Sequence, residues 1–229
     1  LVFFPLVSVV IFDLKHNKFR YFAVFLSSAL FYLFFLTKTR GAWLGLVVSI
    51  AYLAFFKKKI WLITIIVFLL SVPFVLKMEM AKYIFETSSI GDRSAMWRTG
   101  LEIFKQHPII GNGINTFFVN FKKFRNDEWK DKRGSYAHNC YLQMAADIGI
   151  IGLAAFLWVI FSYFFSTFKE LKKMRGIFYP SVVSGISMGI LAFLVHSFFD
   201  TNLYSLNLAT LFWSAVGISQ SVINVSDKT

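Results

Sequence analysis

The chain has few of the residues on which soluble, disulfide-linked and metal-binding proteins depend. Its 229 residues include one cysteine, Cys140, which excludes a disulfide framework and a cysteine-rich metal site and leaves the redox compartment open. Charged residues make up 16% of the chain, whereas hydrophobic residues make up 57%, and phenylalanine alone occurs 29 times. This composition argues against a soluble domain and is typical of a protein that crosses a membrane several times.

Sequence motifs of several soluble enzyme classes are also missing. We find no glycine-rich phosphate-binding loop, no zinc-ligand spacing and no nucleophile elbow. Acidic residues number 12 against 24 lysines and arginines, which gives a formal net charge of +12. Because the basic residues are divided among short loops and one long loop, they predict anionic lipids and phosphate-bearing substrates as partners, and no nucleic acid.

Long apolar runs dominate what the sequence does contain. They predict an all-α, polytopic membrane protein with six transmembrane helices and a partial one at the N-terminus. Because the chain begins inside an apolar run and without Met, we expect a fragment that lacks N-terminal helices. We predict a single transmembrane domain, 1–229, with an outer-face loop, 77–140, inserted between spans. The predicted runs are 1–12 (the partial one), 21–36, 42–56, 60–76, 141–165, 177–199 and 203–223.

The charge of the short loops predicts the orientation of these helices. The loops at 15–20, 57–59 and 169–175 are strongly basic and alternate along the chain so that all three lie on one side. The positive-inside rule makes that side the cytoplasm. The outer-face loop, the turn at 38–41 and Asp200 are then expected together on the opposite, periplasmic or extracellular, face.

Arg40 is the first candidate for chemistry. The run 42–56 that follows it is shorter than the about 20 residues that a span needs, so Arg40 is expected inside or at the edge of the hydrocarbon layer. An arginine there costs roughly 3 kcal/mol unless its head is neutralised. Two readings stay open, in which the guanidinium either reaches lipid phosphates or binds an anionic substrate.

Arg93 is the second candidate. The outer-face loop is predicted to open with a helix that has Asp92 as its N-cap and stops before Pro108. Arg93 falls on the apolar stripe of that helix, four residues before Trp97, and therefore points towards protein or membrane. A paired, purely structural arginine is the alternative. Arg98 lies on the opposite, solvated side, where we expect a pair with Glu102.

The rest of the loop predicts a turn and a second helix. Residues 107–113 combine a proline stop with two glycines, which we expect to serve backbone geometry, not ligand contact. Apolar residues then recur at helical spacing with basic residues off that face, which predicts a helix in the membrane interface. This helix either roofs a lipid-substrate cavity or is an ordinary anchor. Its apolar residues are Ile114, Phe117, Phe118, Phe121 and Phe124.

His138 lies just before a predicted span, and Asn139 is a natural N-cap for it. Asn139, Gln143 and Asp147 are four residues apart and share one helix face. Polar residues in such a place usually face the bundle interior or a wet cavity, so this stripe marks a candidate substrate site with His138 at its mouth. A surface role for the histidine is the alternative.

His196 and Asp200 form a further candidate pair. They lie one turn apart near the outer end of the predicted run 177–199. A carboxylate at that spacing can accept a hydrogen bond from the imidazole and orient it. A structural pair at the end of a helix is the alternative.

Together these motifs resemble the C-terminal half of the O-antigen ligase and polymerase superfamily of bacterial envelope proteins. The likeness extends from about Tyr21 to Asn202. Thr39 and Asp147 depart mildly from it, because that family often has Ser and Glu there. The motifs are Thr39-Arg40-Gly41-Ala42-Trp43, then Arg93 and Trp97 followed by His107-Pro108-Ile109-Ile110-Gly111-Asn112-Gly113, then Ala137-His138-Asn139 and Tyr141-Leu142-Gln143 followed by Gly149-Ile150-Ile151-Gly152.

The resemblance implies glycan transfer from a polyprenyl-pyrophosphate carrier in the bacterial inner (cytoplasmic) membrane, without a metal or other cofactor. Arg40 and Arg93 are expected to bind the donor pyrophosphate, and His138 to accept a proton from the acceptor hydroxyl or to orient it. Direct attack would invert the anomeric centre. Asn139, Gln143, Asp147 and the pair of His196 and Asp200 are candidates for substrate placement.

The acceptor is left open by the sequence. A ligase would use lipid A-core, a polymerase would use another repeat unit, and related members would use a protein or an exopolysaccharide chain. A lipid-linked glycan transporter or flippase is the alternative from another class. Transporters usually have internal repeats and helices that are broken near the bilayer midplane, and neither is indicated by the sequence. A structural scaffold is the third possibility.

Overall fold

The computed structural model describes residues 17–37, 39–56, 87–124 and 136–226, and these residues are helical with no strand among them. The predicted runs 1–12 and 60–76 lie outside the described residues. The α-helices are α1 (Asn17–Leu36), α2 (Arg40–Phe56), α3 (Thr87–Gln106), α4 (Phe117–Phe124), α5 (Cys140–Leu171), α6 (Phe178–His196) and α7 (Leu206–Ser226), with a 3-10 helix at Asn202–Tyr204 before α7.

The prediction of an all-helical, polytopic membrane protein is confirmed. Within the described ranges, α5, α6 and α7 are each long and apolar enough to cross a membrane. Shorter apolar helices cover Tyr21–Phe34 and Gly41–Tyr52, inside α1 and α2. The chain forms two compact units. Of the described residues, 17–37, 39–56, 163–196 and 210–226 belong to the first unit, and 87–124, 136–162 and 197–209 belong to the second.

Close backbone contact between α2 and α6 characterises the first unit. A Cβ atom on Gly45 would overlap the backbone oxygen of Ala192, so only glycine allows this approach. Small residues serve this purpose in membrane helix packing, where no hydrophobic force drives helices together. The hydroxyl of Tyr163 lies 2.9 Å from Ser187 Oγ and 3.0 Å from Ser219 Oγ, and this pair of contacts connects α5 to α6 and α7.

The core of the second unit is built by α3, α4 and the start of α5. Its buried residues include Ile103 on α3, Phe117 and Phe121 on α4, and Ala146 on α5. Two members of the predicted phenylalanine stripe therefore face protein. Phe118, by contrast, is 39% exposed, with Lys122 Nζ 4.4 Å from the centre of its ring.

The helix α5 is broken at Gly149, which has a φ of 68° and a ψ of −175°. The sequence had not indicated this break, which lies near the N-terminal end of the helix. In an unbroken helix the N–H groups of Ile150 and Ile151 would donate to the carbonyls of Ala146 and Asp147. They donate instead to Pro108 O at 2.8 Å and Ile109 O at 3.4 Å.

The turn segment, residues 107–113, uses the carbonyls that the break releases. Asn112 N donates to Ala146 O and Gly113 N donates to Asp147 O, both at 2.9 Å. Gly111, Gly113 and Gly149 all have positive φ, and a Cβ on Gly111 would overlap Asp147 O. The expectation that the loop glycines serve backbone geometry is therefore supported.

Two predicted helix boundaries were wrong. The helix α3 begins at Thr87, so Asp92 lies inside it and is not its N-cap. The sequence offers several cap residues here, including Ser88 and Ser89, and the cap pattern alone does not select among them. The helix α6 ends at His196, so Asp200 is not one turn further along the same helix.

Candidate active site

The start of α5 is capped as predicted. Asn139 Oδ1 accepts hydrogen bonds from Tyr141 N and from Leu142 N, each at 3.0 Å. These N–H groups have no partner within the helix, so an asparagine at this position typically contributes about 1 kcal/mol. The cap fixes the backbone immediately after His138.

His138 stands at this helix start in a left-handed conformation with a φ of 49°. Its Nδ1 lies 3.4 Å from Oδ1 of Asp200, and both side chains are about two-fifths exposed, at 42% and 43%. The same Asp200 oxygen accepts the N–H of Thr201 at 2.8 Å. The sequence predicted His196 as a partner of Asp200, and that pair stays a prediction, whereas the contact of Asp200 with His138 was not predicted.

Backbone contacts hold the Asp200 segment against the start of α5. Cys140 N donates to Ser197 O at 2.9 Å, and Leu203 N donates to Cys140 Sγ at 3.4 Å. Cys140 is fully buried by these contacts. The distance between His138 and Asp200 is therefore set by a framework on both sides of the pair.

The predicted polar face of α5 exists and is buried. Gln143 and Asp147 are 0% and 1% exposed. Gln143 Oε1 accepts the N–H of Ala137 at 3.0 Å, and Asp147 Oδ2 accepts the N–H of Asn115 at 3.3 Å. Both oxygens thus fix the backbone of segments next to the site. Gln143 Nε2 is buried without a hydrogen-bond partner among the described residues.

Tyr204 is a neighbour of this face that the sequence did not indicate. Its hydroxyl interacts with the Asp147 carboxylate, and its ring centre lies 6.4 Å from that of Tyr136. Burial raises the pKa of Tyr204, and the nearby negative charge of Asp147 raises this pKa further. The hydroxyl therefore stays protonated and serves as a donor at neutral pH. No periodicity or motif marks a tyrosine in this short link.

Arg93 lies in the second unit with His138 and Asp200. It is on α3, half-buried, and seven residues before Gly100. Gly100 faces the start of α5, since a Cβ there would meet Leu142 Cδ2 at 3.0 Å. Residues seven apart share one helix face, so Arg93 lies on the side of α3 that packs towards α5. On the solvated side, Glu102 pairs with Lys105 at 2.7 Å and not with Arg98 as expected.

The two remaining predicted site residues belong to the first unit. Arg40 is the first residue of α2, and His196 is the last residue of α6. Their participation in one site with Arg93 and His138 stays a prediction. Among the described residues, no group of three or more His, Cys, Asp or Glu side chains is arranged to hold a metal ion.

Comparison with known proteins gives two likenesses. A family model described as O-antigen ligase matches residues 22–157. The exopolysaccharide production protein ExoQ of Rhizobium meliloti (strain 1021) is 26% identical over 89 residues, which are 37% of this chain and 20% of that protein. The chain thus aligns with only a small part of that relative. The family model covers more than half of this chain.

Proposed function

The chain belongs to the O-antigen ligase family, and on this basis we propose that it transfers a glycan from a polyprenyl-pyrophosphate carrier to an acceptor hydroxyl. We place this reaction at the periplasmic or extracellular face of the bacterial cytoplasmic membrane, which is the face that the basic short loops assign to residues 77–140 and Asp200. The acceptor is another glycan, lipid A-core or a protein.

The pair of His138 and Asp200 carries the proposal. A carboxylate beside Nδ1 favours the tautomer with the hydrogen on Nδ1, which leaves the lone pair of Nε2 to accept a proton. The carboxylate also stabilises the imidazolium that forms. Because both side chains are partly exposed, an acceptor hydroxyl can reach them. General-base catalysis of this kind contributes typically about 100-fold or more in rate.

The proposed transfer is a single displacement. The acceptor oxygen attacks the anomeric carbon of the donor while its proton moves to His138 Nε2. The bond between that carbon and the pyrophosphate oxygen breaks, and its electron pair leaves with the polyprenyl pyrophosphate. Attack from the face opposite the leaving group inverts the anomeric centre. His138 then releases its proton to solvent.

Arg93 and Arg40 are proposed to bind the donor pyrophosphate. A guanidinium is planar and permanently charged, and it can donate two parallel hydrogen bonds to phosphate oxygens. Negative charge grows on the pyrophosphate as the glycosidic bond breaks, so fixed cations stabilise the transition state more than the ground state. In this proposal the arginines take the role that a metal ion has in other glycosyl transfers.

The buried polar residues are proposed to act through the backbone. Asn139 caps α5 next to His138, and Gln143 holds the N–H of Ala137 on the other side of that histidine. Asp147 holds Asn115 in the same way. We assign these three to shaping the substrate site, with His196 as a further candidate for acceptor placement.

The test uses the complete protein in membranes with a labelled polyprenyl-pyrophosphate glycan, a chelator and a panel of acceptors. We compare Arg93→Ala with Arg98→Ala, which removes an exposed arginine from the same helix. We compare His138→Ala with His107→Ala, which removes an exposed loop histidine. The proposal is supported if Arg93→Ala and His138→Ala abolish transfer while both control variants retain it. Equal activity within each pair would contradict it.

The same test distinguishes two other functions. The likeness to an exopolysaccharide production protein favours a polymerase, in which the productive acceptor is another repeat unit. A lipid-linked glycan transporter is the alternative from another class, but the break in α5 lies near the end of that helix, whereas transporters typically break helices near the bilayer midplane. Movement of the labelled donor across the membrane without cleavage of its glycosidic bond would identify a transporter.

A further inference from the structure

We propose that the turn segment, residues 107–113, is inserted into the outer edge of the lipid bilayer, with Ile109 and Ile110 in contact with acyl chains. Ile109 and Ile110 are 61% and 74% exposed, and Ile114 just after the segment is 80% exposed. Three large aliphatic side chains so close together and so open to the surroundings are unfavourable in water.

The position of the break in α5 sets the depth of this segment. After Gly149, α5 continues as an uncharged helix to Phe168, just before Lys169 and Glu170, a length of about 28 Å at about 1.5 Å per residue. The hydrocarbon core of a bilayer is about 30 Å thick. This part of α5 therefore spans the core by itself, and Gly149 lies at the boundary. The residues from Cys140 to Ile148 are then at or beyond the head groups.

Backbone pairing places the turn segment at the same boundary. The N–H groups of Ile150 and Ile151 donate to the carbonyls of Pro108 and Ile109. Ile150 and Ile151 are themselves 50% and 60% exposed, at the start of a span whose side chains are mostly unburied. Ile109 and Ile110 thus continue the surface that α5 presents to lipid.

The hydrogen bonds of the segment make this insertion energetically possible. Irregular backbone enters hydrocarbon only where its polar groups are satisfied by protein. Here Gly111 N donates to His107 O at 2.8 Å, and the N–H groups of Asn112 and Gly113 donate to α5. The Asn112 side chain donates to Ile103 O and Ala146 O at 2.9 Å and 3.0 Å.

The helix that follows has the composition of a membrane interface. Phe118 and Val119 are exposed on α4, and Lys122 and Lys123 are exposed beside them. Apolar residues next to lysines suit the layer where acyl chains meet anionic head groups. The sequence predicted a membrane contact for α4 alone, and the proposal extends this contact to the turn segment before it.

Spin labels on the complete protein in liposomes test the depth. In a Cys140→Ala background, Ile110→Cys is compared with Arg98→Cys on the solvated side of α3. The third site is Trp158→Cys on α5, 71% exposed and about 12 Å further into the bilayer than Ile150. Collision with oxygen reports contact with hydrocarbon, and collision with a polar nickel chelate reports contact with water.

We expect the nickel collision rate at residue 110 to fall on the order of tenfold below that at residue 98, because hydrocarbon excludes a polar chelate. Oxygen collision at residue 110 should approach that at residue 158. The proposal is overturned if the ratio of the oxygen collision rate to the nickel collision rate at residue 110 is closer to the ratio at residue 98 than to the ratio at residue 158. Low collision with both reagents overturns it too, because a protein would then cover the isoleucine. If Ile110→Cys does not fold, Ile109→Cys gives the same comparison.

Discussion

Replacing Gly149 with alanine tests the contact between α5 and the turn segment, next to the proposed site. The residue has a φ of 68° and a ψ of −175°, a combination that is open essentially to glycine alone. A Cβ at this position would overlap the carbonyl oxygen of Ile109. Alanine therefore has two costs, the strain of its own backbone and the displacement of the turn segment.

The two costs can be estimated separately. Backbone strain of this kind costs about 1–3 kcal/mol. Moving the turn segment away breaks the hydrogen bonds from Ile150 N and Ile151 N, each with a net value of about 1 kcal/mol. The sum is about 3–5 kcal/mol, and 1 kcal/mol corresponds to about 2–4 °C in a protein of this size. We expect the unfolding temperature in detergent to fall by roughly 6–20 °C.

Two other glycines provide matched controls for this experiment. Gly176 has a φ of 79° but would place a Cβ in open space, so alanine there costs only backbone strain, about 1 kcal/mol. Gly217 is helical with open space around it, so alanine there should cost nothing. A Gly149→Ala protein that unfolds at the same temperature as Gly176→Ala would refute the argument from the collision with Ile109.

Three further substitutions have expected outcomes. Asp200→Asn removes the charge next to His138 and should lower kcat by about 100-fold, with the KM for the donor unchanged. Initial rates measure both constants, and an unchanged kcat would exclude Asp200 from the mechanism. Asn112→Ala removes two hydrogen bonds to backbone carbonyls and should lower the free energy of unfolding by about 1–3 kcal/mol. Asn120→Ala, at a half-exposed position, is the control and should lower it by less. Tyr163→Phe removes two hydroxyl contacts and should lower the free energy of unfolding by about 1–3 kcal/mol, while the affinity for the donor is retained. A loss of donor affinity without a loss of stability would contradict a purely structural role.

Local signals in the sequence predicted local structure well. Asn139 was expected to cap α5 because its side chain needs only N–H groups two and three residues away, and it does so. Apolar runs predicted α5, α6 and α7 as membrane-crossing helices, because length and hydropathy are sufficient to identify them. The cap of α3 was predicted wrongly at Asp92, because several residues of the cap type occur in succession before it and the pattern alone does not select among them.

The contacts that define the site could not be predicted in this way. His138 and Asp200 are far apart in sequence, and the helical spacing of His196 and Asp200 offered a simpler pair. The break at Gly149 was missed because a single glycine inside an apolar run is tolerated in a helix, and its hydrogen-bond partners lie in the loop before the span. The contact of His138 with Asp200 and the break at Gly149 both join distant segments, and a pattern within one segment does not predict such contacts.

The break in α5 connects the helix that carries Arg93 to the one that follows His138. An unbroken α5 would use the carbonyls of Ala146 and Asp147 for its own N–H groups. The break frees them for the backbone of Asn112 and Gly113, and the Asn112 side chain also reaches the last turns of α3 at Ile103. The two helices are thereby held in one unit. A substitution that disrupts this contact should lower activity in proportion to the loss of folded protein, whereas a change to the His138 pair should lower activity in fully folded protein. Measuring activity and folded fraction in the same samples distinguishes the residues that hold the site from those that carry out the reaction.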